Sequence, residues 1–147
     1  MIERVVHAGV ELAVIIRAAF REPGIHFVTN DEYSQQLAWM RHPPGHRIAP
    51  HVHNEVVRSI TLTQEVLLIR RGKLRVDFYD DDRSYLHSRV VETGDTILLA
   101  AGGHGFEVIE EVEMIEVKQG PYSGEADKSR FDGISAERVV WETAGDE

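Results

Sequence analysis

Stretches of alternating apolar and polar residues predict β-strands along most of the chain from about residue 33. The clearest alternation spans residues 74–79, and a run of three aspartates then predicts a turn into a returning strand at residues 84–91. Further strands are predicted at residues 36–41, 56–63, 65–69, 96–100, 106–109 and 112–117, with turns at 70–73 and 110–111. Short strands at regular spacing are typical of a β-sandwich or a closed β-barrel.

The two ends of the chain are patterned less clearly. Residues 10–19 combine a β-branched cluster with a helix-favouring end, so the pattern allows a buried strand or a helix. The polar, acidic tail contains one apolar group, residues 139–141, which we expect to pack as a last strand or helix. We predict a single domain over residues 1–147, with a core at about 33–120 and a C-terminal extension at 121–147.

The composition is that of an ordinary folded domain, with 42% hydrophobic and 28% charged residues among 147. A net charge of −9 disfavours nucleic acid and anionic membrane surfaces as partners. The absence of cysteine excludes disulfides, thiolate metal sites and a cysteine nucleophile. The apolar run at residues 12–16 is too short to span a membrane, and the first residues do not resemble a signal peptide. We therefore expect a cytoplasmic protein.

A histidine pair is the first candidate for chemistry. His51 and His53 are separated by one residue, and on a strand such residues point to the same face. Their imidazoles, about 6–7 Å apart along a strand, can converge on one metal ion. The same pattern is also compatible with two solvated loop histidines.

Two blocks of the chain resemble the motifs of the cupin superfamily. The matching residues are Gly45, His51, His53, Glu65 and Gly72 in the first block, and Gly94 and His104 in the second. The resemblance covers about residues 45–120. It implies a single-domain cupin, a double-stranded β-helix or jelly-roll barrel with extra N-terminal strands. It also implies one divalent metal ion bound by His51, His53, Glu65 and His104. Residues 102–106 and 114–122 are similar to segments of small bacterial cupins that accompany genes for surface polysaccharide biosynthesis.

The sequence departs from the cupin pattern in its spacing. Eleven residues separate His53 from Glu65, more than the family usually has, and Ala100-Ala101-Gly102 stands where Pro-x-Gly is usual. Glu55 lies nearer to the histidine pair and is the alternative carboxylate ligand. We choose Glu65 because it begins an apolar strand before a turn glycine, where a buried acid needs a partner.

Three imidazoles and one carboxylate suit a borderline divalent ion such as Fe, Mn, Ni, Co or Zn, with positions left open for a substrate. Candidate substrate-binding residues are Arg58, Gln64, Tyr79, Phe106 and Lys118. A regular strand turns Arg58 and Gln64 away from the face of Glu65. Phe106 is equally compatible with plain core, and Lys118 with a solvated face.

These residues predict a metal-dependent enzyme acting on a small polar or sugar-related molecule. The alternative is a non-catalytic sugar-binding or regulatory protein. A metal-independent epimerase ranks third, because no His–Asp base pair is identifiable. We also expect a homodimer, because small jelly rolls protect their edge strands by pairing.

Overall fold

A computed structural model describes residues 1–142; residues 143–147 lie outside the described part. The predicted all-β class is confirmed. The strands are β1 (Ile2–His7), β2 (Val10–Ile16), β3 (Gly24–Phe27), β4 (Ala38–Arg41), β5 (Glu65–Tyr79), β6 (Tyr85–Glu92), β7 (Thr96–Leu99) and β8 (Gly103–Lys118). The helical turns in residues 1–142 are two 3-10 helices, Gly124–Asp127 and Ala136–Arg138. No helix in this part is long and apolar enough to cross a membrane.

Six strands form one curled antiparallel sheet that resembles half of a barrel. Its order is β1-β2-β7-β5-β6, and β8 pairs with β5 off this path. The first part of β5 pairs with β7 and its second part with β6, while β8 follows β5 along nearly its whole length. Strands β3 and β4 form a separate hairpin. The long β5–β8 ladder therefore organises the sheet.

The main core lies on one face of this sheet. It combines apolar side chains from β5 and β7, such as Val76, Phe78 and Ile97, with Leu12 and Ile15 from β2. Strand β2 is buried on both faces, because its other side chains pack in a second cluster under the β3–β4 hairpin. The N-terminal strands thus belong to the core, and residues 10–16 resolve as a strand because they lie between two neighbours.

Most of the predicted strands are confirmed, with shifts of a few residues at their ends. The predictions at 36–41, 84–91 and 96–100 correspond to β4, β6 and β7. The tail also docks as expected. Trp141 forms a parallel β-bridge with Ser88, and the Ser88 amide donates to the carbonyl of Val140.

The predicted turns at residues 70–73 and 110–111 are wrong, because both segments are bends within continuous strands. Gly72 has φ +87°, which glycine adopts without steric cost. A Cβ there would stand 2.0 Å from the carbonyl oxygen of Glu111. The register of the β5–β8 ladder shifts repeatedly around residues 69–74, so both strands bulge together and the ladder bends without ending.

The strand predicted at residues 56–63 is also wrong. Residues 42–64 form no strand, and we call this segment the arm. The hydrogen bonds of residues 46–60 are all local, such as that between His51 Nδ1 and the carbonyl of Ala49 at 3.0 Å. The β-branched residues of the arm favour a strand, but a strand also requires a neighbour with which to pair.

Candidate functional site

The site is built around a contact between Glu65, the first residue of β5, and His104, the second residue of β8. His104 Nε2 lies 3.2 Å from Glu65 Oε2, and Glu65 is only 5% exposed. The ladder pairs His104 with Phe78, thirteen positions along β5 from Glu65. A flat strand would separate those positions by about 40 Å. The bend at Gly72 therefore brings the two ends of the ladder together and creates the contact.

Two lysines complete the surroundings of the Glu65 carboxylate. The Nζ atoms of Lys118 and Lys128 each lie 3.6 Å from Glu65 Oε1, and Lys118 is also 2.9 Å from Glu116. The hydrogen bond from His104 lowers the pKa of Glu65 to about 2, against the opposing effect of burial, and the nearby charges of His104 and both lysines add to this. Glu65 is therefore ionised at neutral pH.

This cluster opens into a cavity of about 670 Å³. The Glu65–His104 pair lies beside the aromatic rings of Tyr79, Phe106 and Phe131. The ring of Phe106 is 5.4 Å from that of His104, so the predicted position of Phe106 on the wall beside His104 is found. The cavity thus presents charged groups next to apolar ring surfaces.

One wall of the cavity is a tail segment, residues 124–134, which we call the strap. The Tyr79 hydroxyl accepts a hydrogen bond from the Ile134 amide at 2.8 Å, and the Phe131 ring meets the Tyr79 ring edge-on at 5.0 Å. The Thr63 hydroxyl donates to Asp127 at 2.7 Å. The strap contributes Lys128 and Phe131 to the site, and sequence reasoning missed both because nothing in the polar tail marks them.

The other predicted substrate-binding residues have different positions. Lys118 and Tyr79 lie at the cavity, although the Tyr79 hydroxyl is occupied by the strap. Gln64 is buried, with its side chain bonded to the Gln35 amide and the Ala100 carbonyl, so it holds the fold together. The Arg58 guanidinium is exposed and reaches only the carbonyl of Val56, at 3.5 Å.

The structure does not bring His51 and His53 to the Glu65–His104 pair. Both are exposed in the arm with ring centroids 5.2 Å apart, and Glu55 is exposed beside them. The expectation that the two histidines share a strand is wrong. Within residues 1–142 no group of three or more His, Asp or Glu side chains is arranged to hold a metal. Imidazole and carboxylate groups suit a divalent ion, but the structure brings Glu65 and His104 together in one place and His51 and His53 together in another.

No family model, curated protein or solved structure matches this chain. The cupin resemblance therefore remains a prediction.

Proposed function

We propose that this chain is a cupin-fold, metal-binding protein that acts as a metal-dependent enzyme on a small polar or sugar-related molecule in the cavity. The observation that supports this best is the ionised, buried Glu65 carboxylate in contact with the His104 imidazole at an open cavity. Carboxylate and imidazole are ligands that borderline divalent ions prefer. A volume of about 670 Å³ suits a small molecule.

The proposal requires His51 and His53 to join Glu65 and His104 as ligands. A bound metal of this class supplies Lewis-acid polarisation of a carbonyl or hydroxyl group, or a position for O₂. Lys118 and Lys128 then lie where they can donate hydrogen bonds to oxygens of the ligand. Phe106 and Phe131 offer ring faces against which a sugar ring can pack.

A second candidate is a binding protein that needs no metal. The observation in its favour is that the Glu65 carboxylate already has His104 and two lysines as partners within the protein. In that case the cavity holds a sugar-like molecule through its carboxylates, lysines and aromatic rings, and the protein serves to carry or sense that molecule.

Elemental analysis of untagged protein, purified without chelator and dialysed against Mn, Fe(II), Co, Ni or Zn, tests the proposal. We expect about one ion per chain in the wild type and a loss of the ion in Glu65→Ala and His104→Ala. Glu55→Ala is the matched control, because it removes the alternative carboxylate, and it should keep the ion. A wild type that takes up none of these ions refutes the metal site. Binding of sugars by the metal-free protein in a thermal-shift screen would then support the second candidate.

A further inference from the structure

The acidic side chains of the cavity already have partners within the protein. Among residues 1–142, three of them line it: Glu65, Glu116 and Asp127. Their partners are His104 Nε2 at 3.2 Å from Glu65, Lys118 Nζ at 2.9 Å from Glu116, and the Thr63 hydroxyl at 2.7 Å from Asp127. An organic ligand that donates hydrogen bonds must therefore compete with partners that these acids already have.

Lys128, which the strap carries to the cavity, is in the opposite situation. Its Nζ atom lies 3.6 Å from Glu65 Oε1, and its side chain is 48% exposed. A hydrogen bond between charged groups is about 2.7–2.9 Å long, so this ion pair is too long to be one. Within the described part of the chain the Lys128 ammonium group makes no hydrogen bond, although it has three donors and no acceptor. The unused hydrogen-bonding capacity beside Glu65 is therefore that of a cation.

Lys118, the last residue of β8, brings a second ammonium group to the same place. Its Nζ atom is also 3.6 Å from Glu65 Oε1, so the two ammonium groups are no more than twice that distance apart. The contact with Glu116 leaves donors of Lys118 unused. Two ammonium groups at this separation leave room for one carboxylate or phosphate group between them, since each bond from nitrogen to oxygen is about 2.7–2.9 Å long.

Aromatic rings lie beside this pair of cations. Phe131 follows Lys128 by three residues in the strap, and Phe106 is 40% exposed beside His104. Ring faces of this kind offer apolar surface to the carbon skeleton of a sugar. A bare inorganic anion would leave both rings uncovered, whereas an anionic group attached to a sugar ring uses the lysines and the rings together.

We propose that the cavity selects acidic sugars, either sugar acids or sugar phosphates, whose anionic group binds between Lys118 and Lys128. The sugar ring packs against Phe106 and Phe131. The inference deepens the proposed function and rests on its claim that the cavity binds a small sugar-related molecule, with or without a metal. Lys128 is then a specificity-determining residue, which the C-terminal tail supplies.

Calorimetric titration of the full-length protein as purified tests the selection. The probes are glucuronate, glucose-1-phosphate and glucose, titrated at low ionic strength, where charges are least screened. We expect at least one of the two acidic sugars to bind about tenfold more tightly than glucose, because it adds hydrogen bonds between charged groups. Glucose that binds as tightly as both acidic sugars overturns the inference and leaves the proposed function standing. Absence of binding by both acidic sugars also overturns it, whereas metal uptake tests the proposed function separately.

Substitution of Lys128 tests the residue itself. Lys128→Gln should weaken binding of the acidic sugar about tenfold and leave the affinity for glucose unchanged. Lys128→Arg keeps the positive charge and should retain most of the affinity. Lys73→Gln is the matched control, because it removes the same charge from a lysine that is bound to Glu110 at 2.9 Å and does not line the cavity. Full affinity in Lys128→Gln, or an equal loss in Lys73→Gln, overturns the role of Lys128.

Discussion

The strap is held over the cavity by few interactions, and the Tyr79→Phe substitution removes one of them cleanly. The variant loses the hydroxyl that accepts the Ile134 amide at 2.8 Å, and it keeps the ring that packs against Phe131. A neutral hydrogen bond of this kind contributes about 1 kcal/mol, within a range of roughly 0.5–1.5. Loss of about 1 kcal/mol increases the population of the open strap about fivefold.

Limited proteolysis measures this opening directly, because trypsin cleaves after Lys128 and Arg130, which both lie in the strap. When the strap opens and closes faster than it is cut, the rate of cleavage follows the open population. We therefore expect the rate at these two sites to rise about fivefold in Tyr79→Phe. The melting temperature should hardly change, because the opening is local.

Tyr85→Phe is the matched control for this experiment. The Tyr85 hydroxyl accepts the Val140 amide at 2.9 Å and also bonds the Ser88 hydroxyl at 2.8 Å, so the substitution removes hydrogen bonds that hold a different part of the tail. Cleavage within the strap should stay at the wild-type rate in this variant. An unchanged rate in Tyr79→Phe, or an equal increase in both variants, would refute the view that Tyr79 holds the strap closed.

Three further predictions concern the fold. Asp77→Ala removes a buried acceptor bonded to Arg75 and Ser88, and it should lower the free energy of unfolding, measured in urea, by about 3 kcal/mol. Asp81→Ala in the exposed turn should change this free energy by no more than about 0.5 kcal/mol. Equal effects would contradict this. Gly72→Ala should lower the melting temperature more than Gly45→Ala. Both glycines have positive φ, but of the two only Gly72 would place a Cβ against a backbone oxygen. Similar melting temperatures for the two variants would refute the reasoning. Finally, burial and the hydrogen bond to Glu11 raise the pKa of Tyr33 to about 12. The protonated Tyr33 hydroxyl therefore stabilises the folded state below pH 10, and this stabilisation is lost as the pH rises from 10 through 12. In an absorbance titration of the wild type, one tyrosine should ionise near pH 12, and this step should be absent in Tyr33→Phe.

The sequence predicts the strand content well, because alternation is a local property. Residues 84–91, predicted as the strand that returns from the aspartate turn, lie in β6 with a shift of one residue. The bends at Gly72 and at residues 110–111 look like turns in the sequence, because glycine and acidic pairs are common in turns. They become parts of longer strands because β5 and β8 bulge at the same place and stay paired on either side of the bulge. Whether such a segment is a turn or a bulge depends on the partner strand, which the local sequence does not specify.

The candidate site is predictable in part for the same reason. Glu65 and His104 are singled out by the resemblance of their surroundings to the cupin motifs, and the fold places the two side chains together. Lys128 and Phe131 escape prediction because their position depends on the strap folding back over Tyr79. The strand predicted around His51 fails because β-propensity does not specify a pairing partner.

The β5–β8 ladder also limits how early the Glu65–His104 contact can form during folding. Glu65 and Lys118 are paired although they lie roughly fifty positions apart, and β6 and β7 come between the two strands in sequence. Contacts between distant residues form slowly, because a long loop must close before they contribute. Strands β6 and β7 can pair with β5 while β8 is still being synthesised. The Glu65–His104 contact therefore requires β8 to have been synthesised and paired with β5 along its length.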